Sequence, residues 1–138
     1  MNIILKDVKY PVMNFSLTNN VVEPNGSINL QTKIHYETKL VRGNDNLKIF
    51  SLNVKVGSDE TNNSPYNIEV VADGIYEVTD FDKDLFVNVA FDIMFVYVQS
   101  TISNMLKIAG FKPIYLPRPP VQKDNKNTLD GLVISGKD

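Results

Sequence analysis

FDIMFVYVQSTISNMLKIAGFKPIYLP, residues 91–117, is the stretch on which the reading of this chain turns. Ile93, Met94, Val96, Tyr97, Ile102, Met105, Leu106 and Ile108 cover much more of a helix than the single stripe needed to pack on a sheet, and Phe111, Ile114, Tyr115 and Leu116 follow directly. The spacing predicts a helix that starts near Asp84 and runs, with or without a kink, to about Ala109. Asp80, Asp82 and Asp84 place negative charge at its start, Lys107 lies near its negative end, and Gly110 is available as a left-handed cap. Pro113, Pro117, Pro119 and Pro120 forbid regular helix beyond that point, so Phe111 to Leu116 is expected as an extended apolar strap lying on the fold.

Upstream, the pattern changes from helical spacing to alternation. From Ile28 to Leu40 apolar and small residues on one face (Ile34, Tyr36, Thr38) alternate with polar ones on the other (Lys33, His35, Glu37), which predicts a strand with one buried face. A turn over Arg42–Asn46 leads into a third strand with Phe50, Leu52, Val54 and Val56 inward, paired antiparallel with the second. A first strand spans about Ile4 to Thr18, where Pro11 favours an edge position or a bulge. Val22–Ser27 reads as a turn and Ser58–Ser64 as a polar loop. Tyr66, Ile68, Val70 and Ala72 define a fourth strand, with a bend expected at Asp73-Gly74 before the pattern restarts over Ile75–Val78. The sum is four strands followed by one long helix.

Composition narrows the function classes. A chain of 138 residues fits one domain with an independent core. Fourteen basic and sixteen acidic residues, neither in a long block, offer no polycationic footprint for nucleic acid. The absence of cysteine excludes disulfides and thiol chemistry. The apolar triplet Ile3–Leu5 is cut short by Lys6 and Asp7, too early for a secretion signal, so a cytoplasmic location is expected. The apolar run from Leu85 to Val98 is interrupted by Asn88 and Asp92 and falls short of the ~20 residues of a bilayer span, so it reads as a packed helix without membrane insertion. The last residues, 122–138, form a polar tail whose apolar positions are Leu129 and Leu132–Ile134, with room for a short strand through Leu132–Ser135.

No constellation supports catalysis. His35 is the one imidazole and stands on a polar strand face without defined partners. The Asp80, Asp82, Asp84 spacing lacks the glycine and the distal glutamate of a calcium loop, and no glycine-rich phosphate cradle follows a strand. Ser100, Thr101 and Ser103 have no adjacent base and read as polar contacts across a helix interface. The expectation is therefore a non-enzyme with no cofactor and no metal site. The group Phe95, Tyr97, Phe111, Ile114, Tyr115 and Leu116 reads either as ordinary core or as a surface for apolar polypeptide. A helix and a strap both competing to cover one sheet face is a surplus that favours oligomerisation, ligand binding or both.

The order and spacing of Pro65–Val78 (PYNIEVVADGIYEV), Phe95–Ser103 (FVYVQSTIS), Ala109–Pro113 (AGFKP) and Leu116-Pro117 resemble the protein-export chaperone SecB family. The resemblance implies an α+β fold, a four-stranded antiparallel sheet covered by a long helix from the C-terminal half, in a SecB-like chaperone domain over residues 1–121 that assembles as a dimer of dimers and holds unfolded or nascent polypeptides without ATP. It also implies that Ile75, Tyr76, Phe95, Tyr97, Phe111, Ile114, Tyr115 and Leu116 lie in or beside an apolar client groove. Val96 stands where the family's helix motif has proline, and Arg118–Val121 replaces the sequence leading into its terminal helix, so that helix is expected to be absent or altered. Glu69 would fall on the acidic sheet face that docks the SecA ATPase, but Asn67, Lys33 and Lys39 keep that face from being strongly acidic. Export with SecA, service to a dedicated client such as an antitoxin, and a non-chaperone oligomeric adaptor stand as the alternatives.

Overall fold

The computed structural model describes residues 1–19, 31–57 and 64–116, together with the backbone course of residues 132–135. The turn expected at 22–27, the first residues of the second strand, most of the loop before Ser64 and the prolines from 117 onward lie outside the described residues. Four strands, β1 (Asn2–Leu17), β2 (Gln31–Leu40), β3 (Leu47–Gly57) and β4 (Tyr66–Thr79), are followed by one helix, α1 (Lys83–Ile108), and a short strand, β5 (Leu132–Ser135). All pairings are antiparallel and the sheet order is β1-β4-β3-β2-β5. The four-stranded sheet and its long helix are the architecture expected from the sequence, and the tail adds a fifth strand at the β2 edge.

Alternation puts one side of the sheet under the helix. Ile34, Tyr36, Phe50, Leu52, Val54, Tyr66, Ile68, Val70 and Ala72 are buried and meet Phe86, Phe91, Met94, Val98, Ile102 and Leu106 of α1. Ring contacts tie the two layers: Tyr36 meets Phe91 edge-on with centroids 5.6 Å apart, and Tyr76 meets Phe86 at 5.5 Å. Such pairs add about 0.5–1.5 kcal/mol each beyond area burial. β1 is an edge strand, and its register against β4 slips between Leu5 and Asp7 and again between Lys9 and Val12. The second slip brackets Pro11, which lacks the N–H a continuous ladder would use.

The expected bend at Asp73-Gly74 is not there: β4 runs unbroken through both residues. Gly74 serves the packing between layers instead. A Cβ on it would lie 2.6 Å from the Met94 sulfur and 2.7 Å from the Tyr76 ring, so the missing side chain is what lets α1 sit close to β4.

The helix is continuous over its 26 residues. Asp82 caps its start by accepting from the Leu85 amide at 3.2 Å. At the other end Gly110 takes φ 88°, its amide donates to Lys107 O at 3.2 Å and the Phe111 amide donates to Leu106 O at 2.8 Å. Those two bonds form the Schellman arrangement, which satisfies the last carbonyls and turns the chain back over the fold. By length and composition α1 matches a bilayer-spanning helix, more so than its first half alone indicates. Its buried stripe from Phe86 to Leu106 is nevertheless packed on the sheet, as in a core helix.

Candidate functional site

Three surfaces are candidates, two of them apolar. Between Leu85 and Ile108 the only charged residues of α1 are Asp92 and Lys107, so its outward side is apolar at Leu85, Val96, Tyr97 and Ile108, all exposed. The second place is the strap. Phe111 packs on Tyr66 at 5.0 Å and on Phe15 at 6.2 Å, which anchors the chain just beyond the helix cap. From there residues 112–116 run back along α1, with Leu116 buried, Ile114 half-buried and Tyr115 86% exposed.

Beyond the Phe111 anchor, the shortest polar contacts of the strap are made by one side-chain amide. Gln99 Nε2 donates to Ile114 O at 2.7 Å, and Gln99 Oε1 accepts from the Leu116 amide at 3.0 Å. Ser103 Oγ supports the same carbonyl at 3.4 Å. The Gln99 amide therefore does for the strap what a peptide group of a neighbouring strand would do, engaging a C=O and the N–H two residues on. Sequence reading passed over Gln99. Its signal is a large two-sided hydrogen-bonding group one turn from Ser103 in a predominantly apolar helix that is followed by a proline-punctuated segment.

The residues expected at a client groove do not converge on one place. Thr101 Oγ1 bonds Tyr10 Oη of β1 at 3.1 Å, which puts that flank of α1 toward β1. Positions 97 and 99 are about 200° apart around a helix, so Tyr97 belongs to the flank of Thr101 and the Ile114–Leu116 part of the strap lies on the opposite one. Phe95 and Leu116 are buried on the inner side, and Tyr76 is wholly buried beneath Phe86. Burial, with Tyr97 adding to it, pushes the Tyr76 phenol well above its ordinary range, and burial raises Tyr66 as well. Ile75, next to Tyr76 in sequence, points to the other side of the sheet by strand alternation. The contiguous exposed or half-exposed set is Phe111, Ile114 and Tyr115, backed by Phe95 and Leu116.

The third place is the sheet face away from α1. There Lys33, Lys55, Glu69 and Asn14 stand side by side in register on β2, β3, β4 and β1, lining a cavity of about 370 Å³ with Ser16 and Asn67. Glu69 accepts from Asn53 Nδ2 at 3.2 Å and lies 3.8 Å from Lys55 Nζ. Its charge is locally offset, and the face as a whole is mixed. Among the described residues no cluster of three metal-binding side chains occurs.

The chain matches the family model described as SecB, preprotein translocase subunit SecB, over residues 2–121. No curated protein matches it in sequence. Nine chains of solved structures match it in fold. Among them is the Mycobacterium tuberculosis Rv1957 SecB-like chaperone, solved in complex with a ChAD peptide from the Rv1956 HigA1 antitoxin. That match has a TM-score of 0.70 at 5% sequence identity and covers 87% of this chain and 92% of that one. At this identity the likeness is one of fold.

Proposed function

The chain belongs to the SecB family, and from that premise we propose that it is an ATP-independent chaperone that holds non-native polypeptide in apolar grooves. The observation that carries the reading is the strap. Ile114 and Tyr115 are presented on an extended backbone pinned by Gln99, with Tyr115 almost fully in solvent, where it adds nothing to the core. A residue so placed fits a surface that meets something else.

Binding strength sets the assembly. One large apolar side chain of a client contributes roughly 1.5–3 kcal/mol, while association costs about 4–15 kcal/mol before any net affinity appears. One strap is too weak, and several grooves around an oligomer would engage a long chain at many points. The outward apolar side of α1 supplies a surface on which a second copy packs, and a dimer of dimers is the assembly we propose. The chaperone unit is residues 1–121, with 122–138 as its tail, acting in the cytoplasm without enzymatic chemistry. Glu69 is proposed as a partner-docking position. Its engagement with Asn53 and Lys55 weighs against a strongly acidic SecA site, and the fold shared with Rv1957 favours a dedicated client, such as an antitoxin segment, as the second reading.

Suppression of aggregation tests the proposal. The protein at an equimolar ratio should slow aggregation of an unfolded client and bind that client better than its folded form; no difference between the two forms would sink it. Tyr115→Asp should weaken client binding severalfold with a stability change within about 0.5 kcal/mol, because the residue lies outside the core. A parallel loss of both would assign Tyr115 to the fold instead.

A further inference from the structure

We propose that the tail strand β5 is an intramolecular occupant of the β2 edge, and that an extended segment of a bound polypeptide displaces it. The inference rests on the holdase reading and adds to it a built-in competitor. β5 pairs antiparallel with β2 through Lys33↔Ser135, Ile34↔Ile134, His35↔Val133 and Tyr36↔Leu132. The Leu132-Val-Ile-Ser135 sequence sits in a polar tail and combines strand-favouring residues with no charge, the character of an exposed segment in an unfolded chain.

The two edges of the sheet differ in what they offer. β2 is ten residues long and β5 spans only Lys33–Tyr36, so Glu37–Leu40 has no strand partner on that side among the described residues. Lys39 and Glu37, 3.3 Å apart, place charge on this open part, as exposed edges commonly do to discourage indiscriminate pairing. An incoming extended segment can pair first along Glu37–Leu40 and then advance into Lys33–Tyr36 as β5 leaves. The recognition is of main chain, so it imposes little sequence preference, as a holdase requires.

Competition within one chain sets the size of the effect. A strand tethered to the same chain meets its edge at an effective concentration on the order of millimolar, whereas a client arrives at its free concentration. Seating of β5 therefore reduces apparent client affinity by the fraction of molecules in which the edge is open.

The test compares the full chain with a chain ending at Asp130, and with the full chain carrying Val133→Pro and Ile134→Pro. The probe is fluorescein-labelled, reduced and carboxymethylated α-lactalbumin, with hydrogen exchange of the β2 amides as a second readout. The expected result is at least tenfold tighter binding by both variants, and loss of protection at amides within Lys33–Tyr36 that face away from β3. Equal affinities for all three proteins, or equal exchange in that segment, would overturn the proposal while leaving the holdase reading standing. Binding of the probe by none of the three overturns both, and the absence of any client signal distinguishes that case.

Discussion

Tyr76 shows how much a single atom can matter. Its ring is fully buried against Phe86, and its hydroxyl is buried with no hydrogen-bond partner among the described residues. Removing an unsatisfied buried group while keeping the ring costs little, so Tyr76→Phe should be neutral or stabilising by up to about 1 kcal/mol in urea unfolding. The phenol is held above its unfolded value of 10.0. Above that pH the unfolded chain releases the proton while the folded one keeps it, so stability is undiminished below pH 10 and falls as pH rises past it. Tyr66 contributes in the same direction. Stability measured between pH 8 and 11 should therefore decline on the alkaline side, less steeply in Tyr76→Phe than in the parent.

Gln99 is the other decisive residue. Replacing it with alanine leaves Ile114 O and the Leu116 amide without their shared partner, at a cost of about 1–3 kcal/mol. Gln99→Glu is the sharper test, because a carboxylate still accepts from the Leu116 amide but presents an acceptor to the Ile114 carbonyl. Both variants should raise hydrogen exchange at Leu116 while leaving central β3 amides protected; uniform loss across the sheet would mean that the strap is integral to the fold.

At the scale of elements, legibility followed local chemistry. Alternation located β2, β3 and β4 because each has one dry face, and Asp82, Lys107 and Gly110 marked the helix ends because caps are made by neighbouring residues. Gly74 misled because a glycine that turns a chain and one that clears space for another layer look alike in sequence; the distinguishing contact, with Met94, is twenty residues away. The Gln99 clamp was equally hidden, since its partners lie fifteen and seventeen residues on. The eight residues expected at a groove were adjacent in sequence motifs, yet strand alternation put Ile75 on the far side of the sheet from Tyr76, and helical pitch put Tyr97 on the flank of α1 away from Gln99 and the strap. Gly110→Ala should lower stability by about 1 kcal/mol through its φ of 88° alone, since nothing lies within 4 Å of the added carbon. Gly74→Ala must also move Met94 and Tyr76 and should cost more, about 1–3 kcal/mol in the same denaturation assay.

For the whole molecule, the proposed association of copies is tested on the outward side of α1. Val96→Asp combined with Ile108→Asp places charge at two exposed apolar positions, so monomer folding should persist with near-native circular dichroism. Light scattering should report a smaller assembly than the parent's. An unchanged mass would move the interface elsewhere, and the exposed apolar residues of β1, Ile4 and Met13, would be next to test.

The near absence of charge along α1 bears on how the protein is made. Synthesis runs from β1 to β4 before α1 emerges, and β1 completes its pairing only once Thr79 is available. By the time the ribosome releases a helix that a membrane-insertion machinery could mistake for a span, all four strands of its receiving surface already exist. The order of elements thus shortens the interval in which this chaperone would itself resemble a client.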